Sequence, residues 1–542
     1  MADSSELTEE NSHPFSLLAS NTLSGHQGFD SIISEAKSTA DTTADFYYHG
    51  LTCRRNALVG VACSIIFSCL FIIAGVITFA NHGILGVTRL FNLVNVDKGA
   101  LQGILTLILD LIVMLCTESI GFVHGVSLRS ALASESRLRF NTNLRLLTAA
   151  RGWYNPNGAL LNGIAAVLLI ISYSSASVVV CLDQNNSETF QTVDEGIAIA
   201  GIPLLILGVA LLLQVIIALS GMWAVKALTW SSSPFDLTAA LVHHAQLTPT
   251  TFRCMRRVSD IDTYGGPMKP PETQPSAWHA HPSIRKVVIS LWVIVAACAG
   301  WAALVMYVWD RFPTSSRFAF STYPLTLQTW SFFRSERSNA IVYLMPGSNL
   351  EVGILLYVNI VFLQGPLTLG LHCSELIANV IRDERQWRCA TRSKGLRVAM
   401  NPLESIFNHP ICFILFIAKP FLHWMFGLSF GIYISAANET LDFIPIAMYT
   451  AQIWNLCIAL FIFACFFTFV ALRRPSGPQP AAYGHLQTLA DLVDEWSPVM
   501  WWGHKEDGFP YCHAGTSDHP LPDVKMNCIY AGSGAGSLVP LS

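Results

Sequence analysis

The chain has 542 residues, 52% of them hydrophobic and 13% charged, with 32 Lys/Arg against 36 Asp/Glu and a formal net charge of −4. Soluble globular domains carry about 25% charged residues, so this composition leaves too little polar surface for a soluble protein and points to membrane spans. A nucleic-acid partner held by a basic patch is excluded as well, because that mode needs clustered excess Lys/Arg.

Residues 1–52 form an acidic, Ser/Thr-rich tail with few large apolar residues, a composition that reads as disordered. No apolar h-region follows a basic start, so no cleavable signal peptide is expected and the first span must itself target the chain. Cys53, beside Arg54 and Arg55 at the membrane edge, is a palmitoylation candidate. Eight segments then have the length and apolarity to cross about 30 Å of hydrocarbon as helices. They are 57–80, 101–125, 158–181, 197–225, 287–309, 352–376, 406–430 and 446–471. The 226–286 loop between spans four and five holds a short helix near Phe235–Gln246 and a Pro-rich run. In the 472–542 tail, Leu486, Leu489, Leu492, Val493 and Trp496 recur at helical spacing over 483–496. That amphipathic helix suits the loops or a cytosolic protein partner better than anionic lipid, because its other face is acidic. The expected fold class is an all-α polytopic membrane protein with the lipid bilayer as its main partner.

Orientation follows from the loops. If the N-terminus is cytosolic, the cytosolic segments hold 25 Lys/Arg and the opposite loops 6, with Lys419 inside a span. The two N-x-S/T sequons, at Asn185 and Asn438, fall in the opposite loops and are the N-glycosylation candidates. Both termini are therefore expected in the cytosol, and the plasma membrane is favoured over internal membranes. Most of the 14 cysteines lie in spans or face the reducing cytosol, so buried small hydrophobes are expected rather than disulfides.

The sequence repeats at an offset of four spans. RGWYNPNGALLN (151–162) and RVAMNPLESIFN (397–408) place Arg151, Asn155 and Asn162 opposite Arg397, Asn401 and Asn408. His124, Glu135 and Arg137 precede the first motif as His372, Asp383 and Arg385 precede the second. An offset of four preserves direction, which predicts two parallel four-helix repeats, 53–225 and 287–471, about an axis along the membrane normal. Asn155 and Asn401 are expected to N-cap spans three and seven, with Pro156 and Pro402 at the first helical position. Arg151 and Arg397 read as positive-inside anchors.

Ionisable residues inside spans are expensive and mark candidate functional positions. Span two carries Asp110, Thr117, Gly121 and His124 on one stripe with Glu118 beside it. Span six carries Gln364, Thr368, His372 and Glu375, and Gly365-Pro366 is expected to kink or open it. Span seven carries Asn408, Cys412, Lys419 and His423. Reckoned at a helical rise of about 1.5 Å per residue, Asp110 and Lys419 lie at similar depth, which predicts an ion pair between the repeats. His124 and His372 are expected to cap the cytosolic ends of their helices.

No Walker loop, H-E-x-x-H or C-x-x-C occurs, so no enzymatic activity is expected. The tail residues His504, Cys512, His513 and His519 match no recognised zinc spacing, and neither metal nor cofactor is expected. The tail segments GPQPAAYGHLQTLADLVDEW (477–496), WWGHK (501–505) and HAGTSDHPLP (513–522) resemble the tails of uncharacterised multi-pass membrane proteins of filamentous fungi. The resemblance implies a fungal membrane protein and carries no activity or site. The composite expectation is a transporter or permease-like protein moving a small molecule or ion. The alternative is a membrane sensor or scaffold that recruits cytosolic partners through its tails.

Overall fold

The computed structural model describes residues 50–83, 86–91, 98–185, 194–250, 252–260, 266–311, 318–320, 323–335, 337–346, 350–398, 407–434 and 443–532. The N-terminal tail, Asn401 and Asn438 lie outside the described residues. The molecule is 61% helical. Eight helices have the length and composition to cross a membrane: α1 (Leu51–His82), α2 (Lys98–Ser134), α3 (Ala159–Val179), α4 (Gly201–Trp223), α7 (Pro282–Arg311), α8 (Leu350–Trp387), α9 (Pro410–Ser429) and α10 (Thr450–Leu472). Among the described residues there are also three short helices: α5 (Pro234–His243), α6 (Ala277–Ala280) and α11 (Leu486–Leu492).

Large apolar side chains such as Ile66, Ile73, Val293, Phe362, Ile462 and Phe469 stand exposed on the outer faces of these helices. In water such a belt would be a liability, whereas against lipid tails it carries no penalty. Trp153, Tyr154 and Trp223 are exposed at one end of α3 and α4, where amphipathic rings suit the headgroup layer. Eight crossings return α10 to the side where α1 begins. That side carries the C-terminal tail and is here the tail side; the other is the sheet side.

Each group of four helices closes on itself, α1 against α4 and α7 against α10. Between the groups, α2 lies along α9 and α3 along α8. The sheet side departs from the all-α expectation. There the strands β1 (Val87–Phe91), β2 (Val180–Asn185), β3 (Asp194–Ala200), β4 (Phe318–Phe320), β5 (Ala340–Pro346), β7 (Phe430–Ile434) and β8 (Phe443–Tyr449) form one sheet in the order β1-β3-β2-β7-β8-β5-β4. The two groups join at β2 and β7, which run parallel. Spans four and eight therefore start later than expected, because 197–200 and 446–449 are strand. A short apolar run bounded by breakers has no period that distinguishes strand from helix, and Pro445 bars a helix from entering through it. Asn185 ends β2 opposite Asp194.

Arg334, on the sheet side, is 6% exposed and binds the end of α9. It donates to the carbonyls of Gly427, Leu428 and Phe430, and its Nη1 reaches Gln102 Oε1 of α2 at 3.1 Å. A guanidinium there satisfies carbonyls that no helical turn follows and complements the negative end of the helix dipole.

The 226–286 loop and the C-tail are not separate appendages. With the end of α8 they form one tail-side layer around Phe235, Met255, Trp387, Leu489, Met500 and Trp502. Its small sheet has the order β10-β9-β6, from β6 (Leu396–Arg397), β9 (Val499–Glu506) and β10 (His513–Ser517). The amphipathic helix spans only Leu486–Leu492, and its apolar residues Leu486, Leu489 and Leu492 are buried in this layer, so the loops are its partner. Gly484 seats the tail on the membrane helices: its φ is +71°, and a Cβ there would stand 2.6 Å from Asp383 Oδ2.

Asp494 anchors the layer's sheet. It accepts from His513 Nε2 at 2.7 Å, Thr516 N at 2.6 Å and Lys505 Nζ at 3.2 Å. Burial pushes its carboxyl pKa up, but the His513 bond and the Lys505 charge outweigh burial and hold it at about 2. A folded pKa below the unfolded value stabilises the fold above about pH 4 and loses that contribution as pH falls toward 2. Asp494→Asn is therefore expected to cost about 2 kcal/mol in urea unfolding at pH 7, with the difference from wild type vanishing near pH 2.

Other local expectations are corrected. Cys53, the palmitoylation candidate, is 3% exposed. Asn155 does not cap α3. Its Oδ1 accepts from Asn157 N at 3.0 Å in a turn, and the helix starts at Ala159 after Gly158. The buried Asn157 decides this by accepting from Ser127 Oγ at 2.9 Å and donating to Gly221 O at 3.2 Å, which holds the chain away from helix entry. In α9 the proline at the first turn is Pro410 with His409 as N-cap, so Asn408 precedes the helix and is exposed. Arg151 and Arg397 are exposed, whereas Asn162 is buried and donates to Thr148 O at 3.2 Å. His124 and His372 are not terminal caps, because α2 continues to Ser134 and α8 to Trp387. The helix of α8 runs unbroken through Pro366.

Candidate functional site

The site lies where α2, α8 and α9 meet. Lys419 is 2% exposed, and its ammonium donates to the carboxylates of both Glu118 and Glu375. The expected Asp110–Lys419 pair does not form. Side chains on a helix lean toward its N-terminus. Lys419 on α9 therefore leans toward the tail side, while Asp110 on the oppositely running α2 leans toward the sheet side. Their Cα positions suggested a match that their Cβ directions undo. Glu118 and Glu375, closer to the tail-side ends of α2 and α8, lie within the lysine's reach.

Asp110 is fully buried, and neither carboxylate oxygen has a partner among the described residues. Its neighbours include the apolar Leu109, Val113, Met114 and Leu169 cluster.

A second group adjoins the lysine. His372 Nδ1 contacts Glu375 Oε1 at 3.1 Å, one turn earlier on α8. Tyr173 stacks on His423 with ring centroids 3.7 Å apart and an interplanar angle of 13°. Its hydroxyl meets Thr117 Oγ1 at 3.2 Å. Gln364 Nε2 donates to His423 Nδ1 at 3.2 Å, and the same amide pairs with Ser177 Oγ. With Nδ1 accepting, the His423 proton sits on Nε2, which has no partner among the described residues. The predicted stripes of α2, α3, α8 and α9 thus converge, and Lys419, Glu118, Glu375, Gln364 and His423 share one interior.

A cavity of about 240 Å³ runs from this cluster toward the tail side. Lys419, Glu118, Glu375 and His372 line its deep part, and Arg129, Arg382 and Asn141 its outer part. Glu118 and Glu375 keep 29% and 28% of their side chains accessible, so the acids face the cavity while Lys419 lies behind them. Arg145 from the 135–158 connection also lines it, with its guanidinium against α2 at Gly121, where a Cβ would stand 3.5 Å from Nη2. Its Nη1 is buried and has no hydrogen-bond partner among the described residues. At the outer end Arg129 donates to Asn141 Oδ1 at 2.9 Å, Asn141 donates to Asp383 Oδ2 at 2.9 Å, and Asp383 pairs with Arg382 at 2.8 Å. This chain of bonds ties α2 to α8.

Glu118, His372 and Glu375 offer ligand atoms within 4.8 Å of one another. The Lys419 ammonium already sits on both carboxylates, so a cation at that point would meet like charge. A different trio, His504, Asp507 and Cys512, comes together in the tail-side layer.

Sequence reasoning missed Arg145, Arg334 and Pro420. Both arginines were counted as loop charge, because a topology count assigns no side chain a direction. Pro420 lies inside α9 next to Lys419 and was legible: without an N–H it leaves a carbonyl one turn back unbonded. Comparison with known proteins adds no constraint: no family model, curated protein or solved structure matches the chain.

Proposed function

We propose that this protein is a permease-like carrier for a small organic or inorganic monoanion. The observation that carries the reading is the cavity, lined by polar and charged groups, which runs between the two helix groups from the Lys419 cluster toward the tail side. Its lining and their direct partners hold Arg129, Arg145, Arg382 and Lys419 against Glu118, Glu375 and Asp383. That is four positive charges against three negative, and among the described residues Arg145 Nη1, in this lining, is a buried cationic donor without an acceptor. An anion in the cavity would supply both the missing charge and the missing acceptor.

The arrangement of the halves supports the same reading. The reciprocal contacts of α2 with α9 and α3 with α8, and the parallel β2–β7 seam, suit parallel repeats about an axis along the membrane normal. Carriers of this kind place their site at the repeat interface. The 25-to-6 excess of Lys/Arg supports a cytosolic tail side, which turns the sequon loops outward. Of the two tails on which the scaffold alternative relied, the C-terminal one has the apolar face of its helix already buried within the chain.

The test is uptake of radiolabelled acetate, lactate and phosphate into proteoliposomes holding the full chain. Saturable uptake of at least one is expected, reduced about tenfold or more by Arg145→Gln, since a charge-assisted hydrogen bond contributes roughly 1.5–3 kcal/mol. Monodisperse protein that moves none of the three sinks the reading.

A further inference from the structure

The hairpin that joins β9 to β10 brings chemistry together far from the cavity. Glu506 pairs with His513, so Asp507 and Cys512 stand at the two feet of its loop, and His504 sits just before it on β9. The pairing slips by one residue between His513 and Ala514, a bulge of the kind that re-aims side chains. The segment around Tyr530 then zips onto the hairpin. Cys512 N donates to Ile529 O at 2.8 Å and Ala531 N to Cys512 O at 3.1 Å. That zipper brings Cys528 into the neighbourhood of Cys512.

We propose that His504 Nε2, Asp507 Oδ1, Cys512 Sγ and Cys528 Sγ form a binding site for a zinc-class divalent metal that staples the tail-side layer. Zinc bonds of about 2.0–2.3 Å at tetrahedral angles place neighbouring ligand atoms roughly 3.3–3.7 Å apart. His504 Nε2 lies 3.1 Å from Asp507 Oδ1 and Cys512 Sγ lies 3.8 Å from it, with all three within 4.8 Å of one another. His504 and Cys512 are 6% and 7% exposed, which gives the site a buried floor.

A second layer of contacts orients the ligands. Tyr530 Oη lies 2.9 Å from His504 Nδ1 and accepts from Lys525 N at 2.8 Å. A phenol oxygen has lone pairs for both donors, so it holds the proton on Nδ1 and frees Nε2 for metal. Lys525 Nζ binds both Asp507 oxygens, at 2.5 and 2.6 Å. A metal needs only one of them, and the lysine keeps the other. On binding, each thiol gives its proton to solvent. Zn²⁺ with two thiolates, one carboxylate and one neutral imidazole then carries a single negative charge, which the Lys525 ammonium offsets.

The sequence-level grouping of His504, Cys512, His513 and His519 joined the wrong histidines. His513 belongs to Asp494 and His519 to Asp518, at 2.7 and 2.8 Å. Asp507 and Cys528 take their places, and no fixed motif spacing joins them because the partner segment arrives through the sheet.

The experiment is metal analysis of the full chain purified in detergent, reduced and without chelator, from cells grown with added zinc. About one zinc per chain is expected. His504→Gln and the double variant Cys512→Ser/Cys528→Ser should lower zinc occupancy tenfold or more, while His513→Gln and His519→Gln should keep it. A parallel readout does not depend on variants folding: added zinc should protect Cys512 and Cys528 of wild type from maleimide, as mapped by mass spectrometry. Three results overturn the proposal: monodisperse wild type that neither holds nor takes up zinc, a double-serine variant that holds it fully, or a Cys512–Cys528 disulfide in place of protected thiols.

Discussion

Lys419→Met is expected to destabilise the helix bundle by about 3–5 kcal/mol, read as a loss of monodisperse protein on heating in detergent. Removing one partner of a buried ion cluster strands the others, and here two carboxylates would face each other without their shared cation. The triple change Lys419→Met, Glu118→Gln and Glu375→Gln should recover most of that loss, because all three charges leave together. Uptake separates the roles. If the triple variant folds but moves no anion, the cluster serves transport. If it folds and transports like wild type, the cluster only holds α2, α8 and α9 together, and the carrier reading loses its charged centre.

Asp110→Val is expected to do the opposite to stability and to abolish uptake. A buried carboxyl group with neither oxygen bonded costs about 1–3 kcal/mol, and an apolar side chain there removes that cost. Valine is also the residue at the matching position of the second repeat, Val358. A melting temperature above wild type together with lost uptake would mark Asp110 as a group kept for function at the expense of stability. A fall of similar size would instead reveal a structural partner for the carboxylate, and unchanged uptake would show that Asp110 has no part in transport.

Much of the site was legible residue by residue. Lys419, Glu118, Glu375, Gln364 and His423 were marked because an ionisable or amide group on an apolar helix is conspicuous in the chain itself. Their pairing was not legible. Helical periodicity assigns a face and a Cα depth, but an extended lysine moves its charge about a turn along the axis, in a direction set by helix polarity. The same gap explains Arg145 and Arg334. A loop position gives no sign that its side chain turns inward until the connection has packed.

The sequence by itself determined that this chain has eight membrane-length apolar helices, because crossing hydrocarbon demands a continuous stretch of suitable composition, which is a property of one segment at a time. The tertiary structure alone decided the seven-stranded sheet, the burial of α11, the partners of Lys419 and the convergence of His504, Asp507 and Cys512. Most of these join segments far apart in the chain, and all of them form only where packing, strand register and side-chain direction agree, none of which a pattern along the sequence encodes.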